Sequence, residues 1–434
     1  MELIFIFLLF LVTWLNYKYF GKVMSPGVLF SGLWAAVFLL HFIFSYTLLK
    51  DLYDLSFNTM ALFFGGVIAF TAGCFLYHFF HQPTFGTQPG FLLNEKVIPP
   101  FSFKIRLLLV LLCAVALPFF IRTAIQIFIQ SQLDNFLLGL RYELSYNDAD
   151  LGPLKYMITF SIVIYALCQM EALRNPVAKN KILAFASFLI AFVFAVFSSG
   201  RTFFMLLGTI YLGLQFILNP LFKIKRILLV IPVVILLFAG YGLIFGKGSE
   251  TGSNLSDNIR SVSEYTALYF VGSLNAQDYE LNHQFEPVFN GYNSLRFFYV
   301  VGSALGFIPP VKFSESLTRD YVQIPYDFNV YTFYSPYLKD FGYLYPIVFL
   351  FVIGFIHTWL YIKAMRTGSP RYALYYGVML YPLIMSFFQD QYLSLLSTWI
   401  QFVIIIESAF LFNKLFIKVT NTSISYVPAS PETS

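Results

Sequence analysis

The chain runs apolar again and again for about the width of a bilayer. Eleven such stretches fall at about 2–17, 28–49, 58–80, 105–129, 155–173, 182–199, 202–219, 228–246, 341–362, 372–389 and 394–413. A hydrocarbon core about 30 Å thick takes about 20 apolar residues per helix. In lipid the backbone must satisfy its own hydrogen bonds, which leaves helices or closed barrels. The stretches here are continuous rather than alternating, which favours helices. Composition agrees: 58% of residues are hydrophobic and 11% charged, against about 45–50% and 25% in soluble domains. Soluble globular and disordered chains are therefore excluded. The expectation is an all-α, polytopic transmembrane helical bundle of about 11 spans. The first stretch has the length of a secretory signal. Glu2 stands where such a signal is basic, however, and no small-residue cleavage site follows, so it reads as a helix.

Lys and Arg orient the bundle. With the N-terminus outside, the inner connections hold 16 of the 27 basic residues in little sequence, while 18 of the 22 acidic residues fall outside. The reading is N-out and C-in, a multi-pass membrane protein. Residues 1–246 hold helices 1–8 with a short outer loop near 130–155. A large outer loop follows over 247–340, then helices 9–11 over 341–413 and an inner tail over 414–434.

The inner loops are too short to fold a nucleotide-binding domain. Gly246 to Gly252 imitates a phosphate cradle, but it follows a span rather than a strand and reads as a helix exit. Cys74, Cys113 and Cys168 all lie in spans, so none can staple the outer loops. No cluster has metal-ligand spacing, and neither metal nor cofactor is expected. No internal repeat supports a transporter built from inverted halves.

The chemistry is expected outside. Arg122 sits late in the fourth span, after Pro118; Arg201 sits at the turn between the sixth and seventh. Arg141 lies in the first outer loop, and Arg260, Arg296 and Arg319 in the large one. The large loop has six basic and ten acidic residues, a net charge of −4. A few arginines in an acidic loop are either aimed at a phosphate or carboxylate, through their planar fork, or paired structurally with Asp and Glu. Tyr265–Leu281 and Ser294–Phe307 read as helices too short or interrupted to span, either re-entrant or interfacial. The loop ends in aromatics, from Tyr321 to Tyr345. They form an interfacial belt, a platform for sugar rings, or both.

Asn329-Val330-Tyr331-Thr332-Phe333-Tyr334, followed by Tyr337-Leu338-Lys339-Asp340-Phe341-Gly342-Tyr343, leads straight into a span. This segment resembles one found in bacterial oligosaccharide repeat-unit polymerases, the Wzy-type O-antigen polymerases. Ser198-Ser199-Gly200-Arg201 resembles another of their pieces. The layout of many spans, one large periplasmic loop in the C-terminal half and short inner loops is also similar. Where the family often has Gly two residues after Asp-Phe-Gly, this chain has Tyr343-Leu344-Tyr345-Pro346.

The resemblance implies a GT-C-like glycosyltransferase membrane fold. It implies a bacterial inner-membrane location, with the two outer loops periplasmic and the tail cytoplasmic, and a substrate of glycan repeat units on undecaprenyl pyrophosphate at the periplasmic face. The growing chain would pass from its lipid carrier to a new lipid-linked unit. Charge then develops on the leaving phosphate, which arginines stabilise, and on the attacking hydroxyl, which a base assists. Arg201, Arg141 and Arg296, then Arg260 and Arg122, are the expected pyrophosphate or glycan binders. His283, Asp278, Glu280 and Asp327 are the candidate bases. Asn329, Tyr331 and Thr332 carry over from the motif as sugar- or loop-positioning residues. Asp340 either joins them or caps the ninth span. Expected partners are the lipid-linked oligosaccharide, inner-membrane lipids, and a chain-length regulator and flippase; nucleic acid is not one. A lipid-linked oligosaccharide flippase and an O-antigen ligase are the alternative readings.

Overall fold

A computed structural model describes residues 1–81, 101–147, 149–198, 200–219, 255–283, 286–309, 321–324 and 326–424. The expected eighth span (228–246), the Gly246–Gly252 stretch, Arg319 and the end of the tail lie outside the described residues. The helices are α1 (Glu2–Phe20), α2 (Pro26–Tyr46), α3 (Phe57–Phe80), α4 (Phe103–Gln130), α5 (Phe136–Tyr146), α6 (Tyr156–Arg174), α7 (Ala178–Phe197) and α8 (Arg201–Leu218). They continue as α9 (Leu255–His283), α10 (Arg296–Ala304), α11 (Tyr334–Phe341), α12 (Leu344–Thr367), α13 (Pro370–Ile384) and α14 (Leu396–Ile424). A two-residue hairpin, β1 (Val322–Gln323) with β2 (Asp327–Phe328), is the sheet structure among the described residues.

Eight of the described helices are long and apolar enough to cross a membrane: α1 to α4, α6 with the 3-10 turn before it, α7, α12 and α14. The protein is an all-α polytopic membrane protein. Large apolar side chains on α1, such as Leu3, Ile4, Phe7 and Phe10, are exposed, as a lipid-facing surface requires. The seventh apolar stretch is α8, a shorter apolar helix of 17 residues over Thr202–Leu218. The tenth, expected over 372–389, is helical only over Pro370–Ile384 and then tightens into a 3-10 turn, Met385–Phe387. Fifteen residues rise only about 22 Å. Pro382 in the last turn removes a backbone donor there.

The chain divides into two compact units. The first comprises Met1–Asn94 and Leu212–Leu396, the second Glu95–Tyr211 and Ser397–Ser434. In the first, α3 and α12 pack backbone to backbone. A Cβ on Gly73 would lie 2.0 Å from the Phe351 carbonyl oxygen, and one on Gly354 would lie 2.1 Å from that of Phe70. Small residues let membrane helices approach this closely, gaining dispersion contact where lipid offers no hydrophobic drive. Around this pair lies an aromatic core. Phe30 stacks on Phe70 at 4.1 Å, and Trp34 meets Phe63 at 5.0 Å and the edge of Tyr334 at 5.7 Å.

In the second unit, α4, α6 and α7 pack together. Arg106 is buried and bridges elements: Nε donates to the Phe101 carbonyl at 3.2 Å and Nη2 to Asn180 Oδ1 at 2.9 Å. The Ser102 N–H donates to Asn413 Oδ1 at 2.9 Å, joining the start of α4 to α14. All three cysteines are free and buried.

Gly354→Val is expected to force α3 and α12 apart and cost at least about 1–3 kcal/mol. Gly65→Ala, whose Cβ would meet Ile347 at an ordinary 3.6 Å, should be tolerated. Thermal midpoints of the two purified variants in detergent check this; equal midpoints would refute the packing role.

Candidate functional site

The site is built on the C-terminal half of α9, where the sequence predicts a non-spanning helix over Tyr265–Leu281. That helix is present and longer than expected, 29 continuous residues, and it is not among the helices apolar enough to cross a membrane. From Phe270 to Leu281 it is buried on nearly every side. Its apolar residues Val271, Leu274 and Ala276 pack into the core. Its polar residues Ser273, Asn275, Gln277, Asp278 and Glu280 are equally buried, none more than 3% exposed. A buried polar group without a partner costs about 1–3 kcal/mol, and each of these five has one.

Ser273 Oγ donates to the Phe387 carbonyl at 2.7 Å. Asn275 Nδ2 donates to the Tyr53 carbonyl at 2.9 Å, and its Oδ1 lies 2.8 Å from His41 Nε2. His41 Nδ1 in turn lies 2.7 Å from Glu2 Oε1. Asp278 Oδ1 accepts from the Ser56 N–H at 3.0 Å and the Ser56 hydroxyl at 2.5 Å. Ser56 is the N-cap of α3, so Asp278 adds negative charge where the α3 helix dipole favours it.

The other side of α9 meets the motif segment. Gln277 Oε1 accepts from Thr332 Oγ1 at 3.1 Å, and its Nε2 donates to Glu280 Oε2 at 2.9 Å. Glu280 Oε2 also accepts from Ser335 Oγ at 2.6 Å, while Oε1 pairs with Lys339 Nζ at 2.7 Å. Lys339 also lies 5.9 Å from the centroid of the Tyr331 ring. Next in sequence, Asp340 is fully buried. Oδ1 accepts from the Asn293 N–H at 3.0 Å and Nδ2 at 2.8 Å; Oδ2 accepts from the Ser294 N–H at 2.5 Å and Oγ at 2.6 Å. The Asp340 carboxylate thus clamps the turn before α10 rather than the first turn of α12.

The aromatics of the segment divide by burial. Phe328, Tyr331, Phe333, Tyr334 and Tyr337 are core residues, whereas Tyr321 and Tyr343 are exposed. A sugar platform in this conformation is therefore confined to the exposed and half-buried rings. Tyr337 donates to Asp390 Oδ1 at 3.0 Å. The N–H groups of Tyr392 and Ser394 also point at that carboxylate, at 2.9 and 3.0 Å. Burial pushes the Asp390 carboxyl upward, and these donors pull it back. Burial beside Asp390 pushes the Tyr337 phenol well above its usual range.

The structure thus brings Thr332, Glu280, Tyr331 and Asp340 together around α11, with Asp278 on the far side of α9. Asp327 stands apart on the exposed edge of the hairpin, where the alternation buries Val322 and Phe328 and turns Gln323 and Asp327 outward. Asn329 is half-buried beside it. His283 ends α9 in solvent, with Nδ1 3.1 Å from the Tyr279 carbonyl and its ring stacked on Tyr279. Arg260 is exposed and pairs with Glu264 at 2.8 Å. Arg296 is half-buried at the first residue of α10. Arg122, Arg141 and Arg201 belong to the second unit. Arg122 is exposed on α4, Arg141 is half-buried on α5 and Arg201 opens α8, its side chain outside the described residues.

Sequence reasoning passed over Glu2, His41, Asn275, Gln277, Ser335, Lys339 and Asp390. One signal was available: His41 is ionisable inside a span, a position that calls for a partner. The run Asn275-Ala276-Gln277-Asp278 carried none, because a polar run on a helix ordinarily faces water.

Lys339→Met would leave the Glu280 carboxylate buried without its counter-ion. Breaking a fully buried pair costs about 3–5 kcal/mol; Lys339 is 37% exposed, so a loss toward or below the lower bound is expected. Adding Glu280→Gln to Lys339→Met should recover part of it. Unfolding midpoints of both variants measure this, and a double variant no more stable than the single one would count against the pair.

No protein-family model, no curated protein and no solved structure matches the chain.

Proposed function

We propose that the protein is a repeat-unit polymerase of the O-antigen type, a glycosyltransferase of the bacterial inner membrane. It moves a growing glycan from undecaprenyl pyrophosphate onto a new lipid-linked unit at the periplasmic face. The proposal includes about eleven spans, an outside N-terminus and a GT-C-like membrane fold. One observation supports it most. The motif segment 329–343, which carries the resemblance, is pinned to α9 by Thr332, Ser335 and Lys339 and to the 293–294 turn by Asp340, immediately before the span α12. A polar assembly at one end of a helix bundle suits a substrate whose sugar is polar and whose carrier is lipid.

In the reaction, an acceptor hydroxyl forms a bond to the anomeric carbon as that carbon's bond to the phosphate oxygen breaks. The hydroxyl proton goes to a base, and the pyrophosphate leaves on its lipid. Arginine forks offset the charge growing on the leaving phosphate. Among the candidate bases, Asp278 and Glu280 are buried and already accept hydrogen bonds. His283 and Asp327 are the two exposed to solvent, and only an accessible group can take a proton from a bound sugar. The proposal therefore places the base at one of these two.

Arg201→Ala, expressed in a strain lacking the chromosomal copy, should insert normally yet leave lipid A with a single repeat unit. His283→Ala or Asp327→Asn, whichever removes the base, should slow polymerisation by about 100-fold or more. Lipopolysaccharide gels check all three. Full ladders from Arg201→Ala would remove that residue from the mechanism. In the deletion strain, loss of even the single unit would indicate a ligase. Repeat units trapped on the inner leaflet would indicate a flippase.

A further inference from the structure

α10 is amphipathic the wrong way round for a helix on a water-soluble surface. At 3.6 residues per turn, Phe298, Val301 and Leu305 fall within an arc of about 60°. All three are exposed, at 55%, 37% and 64%. Arg296, Tyr299 and Ser303 share an arc of similar width on the opposite side. They are half-buried, turned toward the protein, and Tyr299 donates to the Asn290 carbonyl. The flanking loops add Phe289 and Phe307, exposed at 68% and 82%. Exposed apolar patches of this kind mark an interaction surface.

Its level relative to the spans is fixed by the chain itself. The Val288 N–H donates to the Lys339 carbonyl at 2.8 Å. The Gly291 turn lies against Phe341, and Asp340 holds the backbone of Asn293 and Ser294. Residues 288–294 are therefore bound to residues 339–341, which stand three to five positions before α12 begins at Leu344. The start of α12 exposes apolar side chains, with Leu344 73% exposed and Val348 51%, as a lipid-facing span requires. The tether to residues 339–341 thus keeps α10 near the end at which the span α12 begins. A water-facing role would put Arg296 and Ser303 outward; an apolar-outward helix near that end matches a monotopic element.

We propose that residues 288–307 form a membrane-surface anchor, with Phe298, Val301, Leu305 and Phe307 embedded among the lipids of the leaflet that α12 enters. The anchor holds the Asp340 clamp, and with it the Glu280–Lys339 cluster, at the level of a lipid head-group. The inference rests on the helix's polarity and attachment and does not depend on the proposed activity.

The test uses the full chain in vesicles of phosphatidylethanolamine and phosphatidylglycerol. Phe298→Cys, Leu305→Cys, Phe307→Cys and, as a solvent-exposed control, Gln323→Cys each take a nitroxide spin label. Cys74, Cys113 and Cys168 are buried, so the wild type supplies the labelling background. Collision with membrane-soluble oxygen relative to an aqueous nickel chelate should be several-fold higher at 298, 305 and 307 than at 323. Nickel access equal to that at 323 would overturn the proposal. So would exclusion of both reagents, which would mean that a second copy or another protein covers the face. Three independent label sites guard against one substitution disturbing its own surroundings.

Discussion

The first unit depends on the contact between α3 and α12, in which Gly73 and Gly354 each face a carbonyl of the other helix. No residue with a Cβ fits at either place. In lipid the apolar side chains gain nothing by leaving the solvent, so helices hold by close packing and by hydrogen bonds. Cys74 adds a weak one, Sγ to the Gly354 carbonyl at 3.4 Å. Once α12 is seated, α11 just before it is drawn down over α3. Tyr334 passes over Gly66, where even a methyl group would collide with its ring, and donates to the Phe63 carbonyl at 3.3 Å. The position of the whole motif segment follows from that seating.

With α11 in place, α9 is enclosed between it and the loop leading into α3, and enclosure makes its polar residues costly unless paired. Apart from Gln277 with Glu280, the pairings are long-range. Asp278 reaches Ser56, Asn275 reaches His41 and through it Glu2, and Glu280 reaches Lys339. Such a network specifies one seating for the helix, since a turn's displacement would strand several buried groups at once. Under the proposed activity these groups hold the frame, while the exposed His283 and Asp327 face the substrate. In both proposals together, the Asp340 clamp and the apolar face of α10 would set that frame at the membrane surface, where a lipid-linked sugar would be presented.

Much of the architecture was legible in the sequence because bilayer thickness imposes a length scale on apolar stretches. Eight of the expected spans coincide with helices able to cross. The tenth stretch shows the limit: hydropathy does not register that Pro382 and a 3-10 turn end its helix at Ile384. The motif over 329–343 could be picked out, yet its residues look alike in the sequence. Nothing there separates Tyr331, Tyr334 and Tyr337, which are core, from Tyr321 and Tyr343, which are exposed.

The sequence by itself determined that this is a multi-pass helical membrane protein, because continuous apolar stretches have no other stable state in water or lipid. Only the tertiary structure decided what the polar residues do. Glu280 and Lys339 lie 59 positions apart and Asn293 and Asp340 lie 47 apart. No periodicity relates residues so distant. Their pairing exists because two glycines let α3 and α12 touch, and that contact folds the end of the loop back onto α9. The outward turn of the apolar face of α10 follows from the same attachment, since a helix wheel gives the two faces but not which of them the protein covers.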